Sequence, residues 1–272
     1  MSTPNITLSD GSKIPQLGLG TWLINKESEC KNAVKTALKV GYRHFDTAQI
    51  YKNEQFIGEA LSESSVKRRE LFITTKIWNE NMYWDDIEPS FEESLKKLRT
   101  DYVDLLLLHF PVTELRRPAW RKMQDIYRSG KAKAIGVSNY TIKHLEELLK
   151  ECEIKPVVNQ VELHVFLQQP ELVKFSQDNE VIIEAYSPLA HGYTMSDKIL
   201  AAIAKKHKRS IGQVMIRWCL DMGFVTIPKS ANPDHIKENF EVLDFRLDKE
   251  DLKNIRELEK DLRTCWDPTH VA

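Results

Sequence analysis

Residues 102–111 read YVDLLLLHFP, a short apolar run that ends on an imidazole and is closed by a proline. The run from Val103 to His109 reads as a β-strand, and two more runs upstream have the same plan. LFITTKIWN at 71–79 ends its strand at Lys76, and RHFDTAQIYKNE at 43–54 ends its strand at Asp46, with Tyr51 five residues beyond. Three successive strands thus finish on a carboxylate, an ammonium and an imidazole, with a phenol close by. A barrel or a parallel sheet gathers all four at one rim.

Outward from these strands, short apolar runs alternate with longer amphipathic segments, the pattern of repeated βα units. Eight strands are predicted: Leu17–Gly20, His44–Asp46, Leu71–Lys76, Val103–His109, Ala132–Ser138, Val157–Glu162, Val181–Tyr186 and Phe224–Pro228. Between them lie apolar residues at helical spacing, such as Ala33, Ala37 and Val40, or Phe91, Leu95 and Leu98. Eight strand and helix pairs in 272 residues favour a closed (β/α)8 TIM barrel of the α/β class over an open doubly wound sheet. Before the first strand, a Ser-Asp-Gly turn between β-prone runs at 6–14 predicts a hairpin that closes the bottom of the barrel. The segment 196–223 predicts two helices broken near Ser210, and residues 249–260 a further one. No linker divides the chain, so one domain over 1–272 is expected.

Composition narrows the function classes. The chain is 42% hydrophobic and 29% charged with a formal net charge of −1, which argues against a general affinity for nucleic acid or acidic membranes. The basic clusters at 67–69 and 205–209 read as solvated helix ends. Cysteines 30, 152, 219 and 265 are widely spaced and read as reduced thiols rather than disulfides or a zinc site. No apolar leader and no long apolar span are visible, so a cytoplasmic protein is expected.

The rim residues suggest a chemistry. A free phenol has a pKa of about 10, and a nearby ammonium lowers it, so Lys76 would make Tyr51 a better proton donor. Asp46 would hold the buried lysine charged, and His109 would donate to a carbonyl oxygen and stabilise the oxyanion that develops on it. No Ser or Cys nucleophile and no metal-ligand spacing stands out, so no metal is expected. Reduction of a carbonyl needs hydride, which a protein takes from a cofactor, and nicotinamide is the economical choice.

Eight blocks in order, LGLGTW at 17–22, GYRHFDTAQIYKNE at 41–54, TTKIWN, LLHFP, AIGVSNY at 134–140, VVNQVELH at 157–164, EAYSPLA at 184–190 and IPKSANPDHIKENF at 227–240, resemble the aldo-keto reductases, in particular the shorter microbial members. The resemblance covers essentially the whole chain. It implies a (β/α)8 barrel that reduces aldehydes and ketones with NAD(P)H, without a GxGxxG loop. It further implies Tyr51 as general acid, Lys76 and Asp46 as its tuning pair and His109 as the group that orients the carbonyl. Ser138, Asn139 and Gln160 would hold the nicotinamide carboxamide, and Tyr186 would stack on the ring. Gly20 and Thr21 would border the cofactor, with Ser187 and Leu189 along the pyrophosphate. Lys229, Ser230 and Asn232 would meet a 2′-phosphate, with Glu238 and Asn239 near the adenine. Relatives that prefer NADPH usually have arginine where this chain has His235, so NADPH is expected with a weaker preference over NADH. Trp22, Trp78 and Phe110 would wall an open substrate pocket, helped by a short loop from Pro111 to Pro118, and Phe110 stands where many relatives have tryptophan.

Three readings follow: a reductase of small aldehydes, keto acids or sugar carbonyls, a cofactor-binding module without turnover, and a metal-dependent barrel hydrolase or lyase. The intact Asp46, Tyr51, Lys76 and His109 set favours the first. Its partners would be a small carbonyl substrate, with neither nucleic acid nor membrane, and the chain would be a monomer. Other residues have structural readings: Trp120, Trp218 and Trp266 as core or helix-packing, His44 and His164 as structural, Asn53 and Glu54 as helix capping.

Overall fold

The computed structural model describes residues 3–193 and 196–272. Two antiparallel strands come first, β1 (Asn5–Thr7) and β2 (Lys13–Pro15). Eight parallel strands follow: β3 (Leu19–Gly20), β4 (His44–Asp46), β5 (Phe72–Ile77), β6 (Val103–Leu108), β7 (Ala132–Ser138), β8 (Val158–Glu162), β9 (Ile182–Tyr186) and β10 (Val225–Thr226). They pair in sequence order, and bridges from Leu17 to Thr226 and from Gly20 to Lys229 join the last strand to the first. The sheet is therefore a closed barrel, as the eight predicted strands require.

The helices α1 (Glu27–Val40), α2 (Glu54–Ser62), α3 (Ile87–Leu98), α4 (Arg116–Arg128), α5 (Ile142–Glu151) and α6 (Pro170–Asp178) fill the crossovers from β3 to β9. Two helices, α7 (Lys198–His207) and α8 (Ile211–Asp221), precede β10, and α9 (Pro233–Phe240) and α10 (Lys249–Arg256) follow it. The break before Ser210 has a local cause. Lys208 ends α7 in the left-handed region at φ 54°, and Ser210 and Gln213 start α8 by each bonding the other's backbone N–H.

Strand alternation sorts the core into two layers. Phe72, Leu105, Leu107, Ala134, Val158 and Val225 cluster inside the barrel, while Ile73, Leu106, Leu108, Ile135, Val137 and Ile183 join the helices outside it. Burying each Val, Leu, Ile or Phe among these stabilises the fold by about 1.5–3 kcal/mol. Along several strands the inward series turns from apolar to polar, as in Phe72, Thr74 and Lys76 of β5 or Ile182, Glu184 and Tyr186 of β9. Polar groups therefore collect at the C-terminal ends, where barrels of this type carry their chemistry. At Gly136 an added Cβ would lie 2.6 Å from the Val158 carbonyl oxygen, so glycine is what lets β7 and β8 approach there.

The hairpin plugs the opposite end. Asp10 Oδ1 accepts from the Ser12 amide at 2.9 Å and the Ser12 hydroxyl at 2.6 Å, and Gly11 sits at φ 86°. This turn lets Leu8 and Ile14 reach the inner cluster beside Phe72 and Val157.

Two local expectations are corrected. α2 begins at Glu54, but neither Asn53 nor Glu54 caps it. The Asn53 amide donates to the Thr21 and Ile24 carbonyls and accepts from Thr47 Oγ1, and the Glu54 carboxyl accepts from Thr75 and Ser94. Both residues are buried, so they serve the neighbouring loop and strand rather than a solvated helix end. Pro118 belongs to the first turn of α4 instead of the loop before it, a place where its missing N–H costs nothing. Among the described residues no helix is long and apolar enough to cross a membrane.

Candidate active site

Asp46 ends β4, Lys76 lies one residue before the end of β5, and His109 follows β6 directly. Tyr51 closes a 3-10 turn, Gln49–Tyr51, that folds back over the same rim. The structure brings all four together. Lys76 is fully buried and donates to Asp46 Oδ1 at 2.6 Å and to the Thr47 carbonyl at 3.0 Å. Its ammonium is 5.1 Å from the centre of the Tyr51 ring, and the rings of Tyr51 and His109 meet edge-on at 5.7 Å.

The electrostatics correct one expectation. Burial and the neighbouring Asp46 push the Tyr51 phenol well above its usual value, with smaller contributions from Cys265 and Glu184. Lys76 was expected to lower it, but the ammonium is held by Asp46 at 2.6 Å, so the pair presents little net positive field to the ring. Burial, then Lys76, holds His109 well below the ordinary imidazole value, so its ring is neutral. His109 Nδ1 is buried without a hydrogen-bond partner among the described residues. A buried orphan N–H is the rarer fault than an orphan acceptor, so the proton belongs on Nε2, where it can serve a ligand.

With Lys76 buried behind them, Asp46, Tyr51 and His109 floor a pocket of about 560 Å³. Gly20, Thr21, Asp46, Ser138, Asn139, Gln160, Tyr186, Ser187, Leu189 and Lys229 line it, as do Trp22, Tyr51 and His109. Ser230, Asn232, His235, Glu238 and Asn239 do not line it; they lie beyond, where the Asn232 side chain accepts from the Asp234 and His235 amides to start α9. Phe110 is half-buried and does not line the pocket, whereas Trp78 backs its wall 5.2 Å from His109.

The polar side chains on the strand ends hold one another. Ser138 Oγ donates to the Gln160 carbonyl at 2.9 Å, Asn139 Nδ2 to the His109 carbonyl at 3.0 Å, and Tyr186 Oη to Asn139 Oδ1 at 2.8 Å. Gln160 Nε2 donates to Asp46 Oδ2 and Glu184 Oε2, both at 2.8 Å. Both of its N–H groups being engaged, Gln160 has its amide oxygen left for a donor in the pocket, which is what a carboxamide would bring. Lys229, exposed at the pocket edge, suits an anionic group. The residues present fit a nicotinamide dinucleotide.

Some site residues were not foreseen. Trp266, which the sequence reads as a core or helix-packing residue, is 46% exposed and lines the pocket, 6.0 Å from the His109 ring and 5.7 Å from Trp78. Trp120 and Trp218 are buried as expected. The cause is Glu162 at the end of β8, whose carboxylate accepts from the Thr264 amide at 2.7 Å and hydroxyl at 2.5 Å and from the Cys265 amide at 3.1 Å. Burial pushes Glu162 up, but bonds from His164 and Thr264 outweigh it and hold the carboxyl below its usual range. Cys265 Sγ in turn lies 3.2 Å from His191 Nε2 and 3.4 Å from Ser187 Oγ, so the tail meets the loop after β9 across the pocket mouth. Glu162 and Glu184 could have been singled out as charges at inward strand positions. Cys265 and Trp266 sit in a tail without periodicity, which gives no such signal.

Residues 16–260 match the profile of the aldo/keto reductase family. The chain is 45% identical over 266 residues to a glyoxal reductase of Bacillus subtilis (strain 168), covering 98% of this chain and 96% of that protein. It is also 45% identical over 275 residues to the methylglyoxal reductase DkgA of Escherichia coli O157:H7, covering 98% of each. Among solved structures, an aldo-keto reductase from a Medee basin deep-sea metagenome library superposes with a TM-score of 0.96 at 40% identity, over 98% of this chain and 99% of that one. A Bombyx mori aldo-keto reductase in complex with NADP gives 0.90 at 36% identity, over 97% and 95%.

Proposed function

The chain belongs to the aldo/keto reductase family, and on that premise we propose that it reduces small uncharged aldehydes, 2-oxoaldehydes foremost, with NADPH as hydride source and Tyr51 as proton donor. The observation that carries this reading is the buried Asp46–Lys76 pair, 2.6 Å apart, set against a tyrosine and a neutral histidine that face the same pocket.

When bound, the nicotinamide supplies hydride to the carbonyl carbon. Gln160, with Ser138 and Asn139, would hold its carboxamide, and Tyr186 would cover the ring. His109 Nε2–H would bind the carbonyl oxygen, and the Tyr51 hydroxyl would pass its proton to that oxygen as charge develops. Lys76 stands behind the phenol, 5.1 Å from the ring centre, and would offset part of the charge left on the phenolate, reduced by its pairing with Asp46. Trp22 and Trp266 wall the reacting end with Trp78 behind them, and among the described residues no Lys or Arg lines it there. A carboxylate on the substrate would therefore lack a partner, which argues for uncharged carbonyls over keto acids. The glyoxal and methylglyoxal reductase relatives support the same class. Lys229, Ser230 and the capped start of α9 support a cofactor phosphate, and His235 in place of arginine argues for a modest margin over NADH.

The test follows NADPH oxidation with methylglyoxal and with a 2-oxo acid of equal size. The aldehyde should be the better substrate by kcat/KM. Tyr51→Phe should lose roughly 10²–10⁴-fold in kcat while still binding NADPH, the usual worth of a positioned proton donor. Near wild-type turnover in that variant would remove Tyr51 from its role. His235→Arg should tighten NADPH more than NADH.

A further inference from the structure

The barrel interior holds a carboxyl that neither the chemistry above nor the C-terminal tail uses. Glu184 on β9 is fully buried. Its Oε2 accepts from Gln160 Nε2 at 2.8 Å, the same nitrogen that reaches Asp46 Oδ2. Its Oε1 has no hydrogen-bond partner among the described residues and faces His44 Nε2 at 3.5 Å.

Counting donors and acceptors locates the protons. His44 Nδ1 lies 3.3 Å from the Pro15 carbonyl oxygen, which can only accept, so Nδ1 carries hydrogen. Gly18 leaves room for this contact, since a Cβ there would come within 2.6 Å of that nitrogen. Nε2 of the neutral ring then carries one lone pair and no hydrogen, facing Thr74 Oγ1 at 3.2 Å and Glu184 Oε1 at 3.5 Å, so it can only accept, shared between the two. An ionised Glu184 would aim a second bare acceptor at the first. A protonated Glu184 aims an O–H at it.

Charge balance agrees. The ionisable groups that face Glu184 are His44 and Asp46 from β4, Lys76 from β5 and Tyr51 from the turn after β4. β8 contributes the neutral amide of Gln160, and β10 pairs through Val225. One ammonium, already 2.6 Å from Asp46, cannot neutralise two buried carboxylates. Burial, followed by Asp46, pushes Glu184 up to about 8, and burial holds His44 down to about 3.

We propose that Glu184 is a positioning residue that works as a neutral acid: its O–H is directed at His44, its other oxygen fixes the Gln160 amide, and its ionisation would set a second negative charge beside Asp46. The neutral form leaves Lys76 to Asp46 and Tyr51. The ionised form competes for that ammonium and opposes departure of the Tyr51 proton. The link to Gln160 and to turnover rests on the function proposed above; the protonation state does not.

Infrared titration of the cofactor-free protein in D2O, as wild type minus Glu184→Gln, tests the protonation state directly. A carboxylic acid carbonyl band should be present at neutral pH and vanish as pH rises through about 8. Its absence at neutral pH overturns the proposal, whether or not the protein reduces any carbonyl. Glutamine places an N–H and a C=O where the neutral acid has its donor and acceptor, so Glu184→Gln should keep wild-type cofactor affinity and lose the decline of kcat above about 8. An unchanged alkaline decline in that variant also overturns it. Glu184→Leu should weaken NADPH binding about tenfold, the worth of one hydrogen bond. Wild-type affinity there refutes the positioning role, and if this variant does not fold, the glutamine variant and the infrared band decide.

Discussion

At Tyr51 the proton is held more firmly than in free tyrosine, because burial and Asp46 act on the phenol while Asp46 occupies the ammonium. Lys76→Met should therefore do two kinds of harm. It should slow turnover, and it should leave Asp46 as an unpaired buried charge, at a cost of about 3–5 kcal/mol in chemical denaturation. Asp46→Asn with Lys76→Met should be more stable than Lys76→Met alone; equal loss in both would mean the pair contributes through packing only. His109 gives a second prediction at this scale. Its native ring stays neutral, whereas in the unfolded chain it takes a proton below about 6.5. The unfolded state then binds more protons, so this contribution is complete above that pH and is lost as pH falls, by about 1.4 kcal/mol per unit. Urea unfolding at several pH values, with His109→Gln flattening the acid side, checks the sign. The four rim residues were legible because each stands at or just past the end of a readable strand. The direction of the Tyr51 shift was not, since it turns on a 2.6 Å contact between residues 30 positions apart.

The strands, the hairpin and the break at Ser210 were readable because their signals are local: alternation, a Ser-Asp-Gly turn, a capping pair. The C-terminal tail has no such signal, and its place is set by one long-range acceptor, Glu162. The same limit explains Asn53, whose partners Thr21 and Ile24 lie far back in the chain. Trp266→Ala should raise KM for an aromatic aldehyde roughly 2- to 10-fold, the factor that corresponds to an aromatic contact of about 0.5–1.5 kcal/mol. Glu162→Ala should reproduce much of that rise without touching the pocket itself. A KM unaffected by Glu162→Ala, with Trp266→Ala active as expected, would show that the tail is held by other contacts.

Across the molecule the barrel is unevenly joined. β6 and β7 pair through five residues, whereas β3 meets β4 and β9 meets β10 through two each. Between β3 and β10 the closure consists of two isolated bridges, and the amides of Gly18, Gly20 and Thr226 carry it. Sequence gave the number of staves but not this weak join, because closure depends on how neighbouring strands tilt and not on any one of them. Hydrogen exchange should reach those three amides before the ones between β6 and β7, and uniform protection around the sheet would contradict this. Gly20 and Lys229, the residues of one bridge, also border the pocket. A dinucleotide lying over them would act as a rivet across a split hoop, so loading the enzyme should slow exchange at those amides and raise its melting temperature even when no substrate is near.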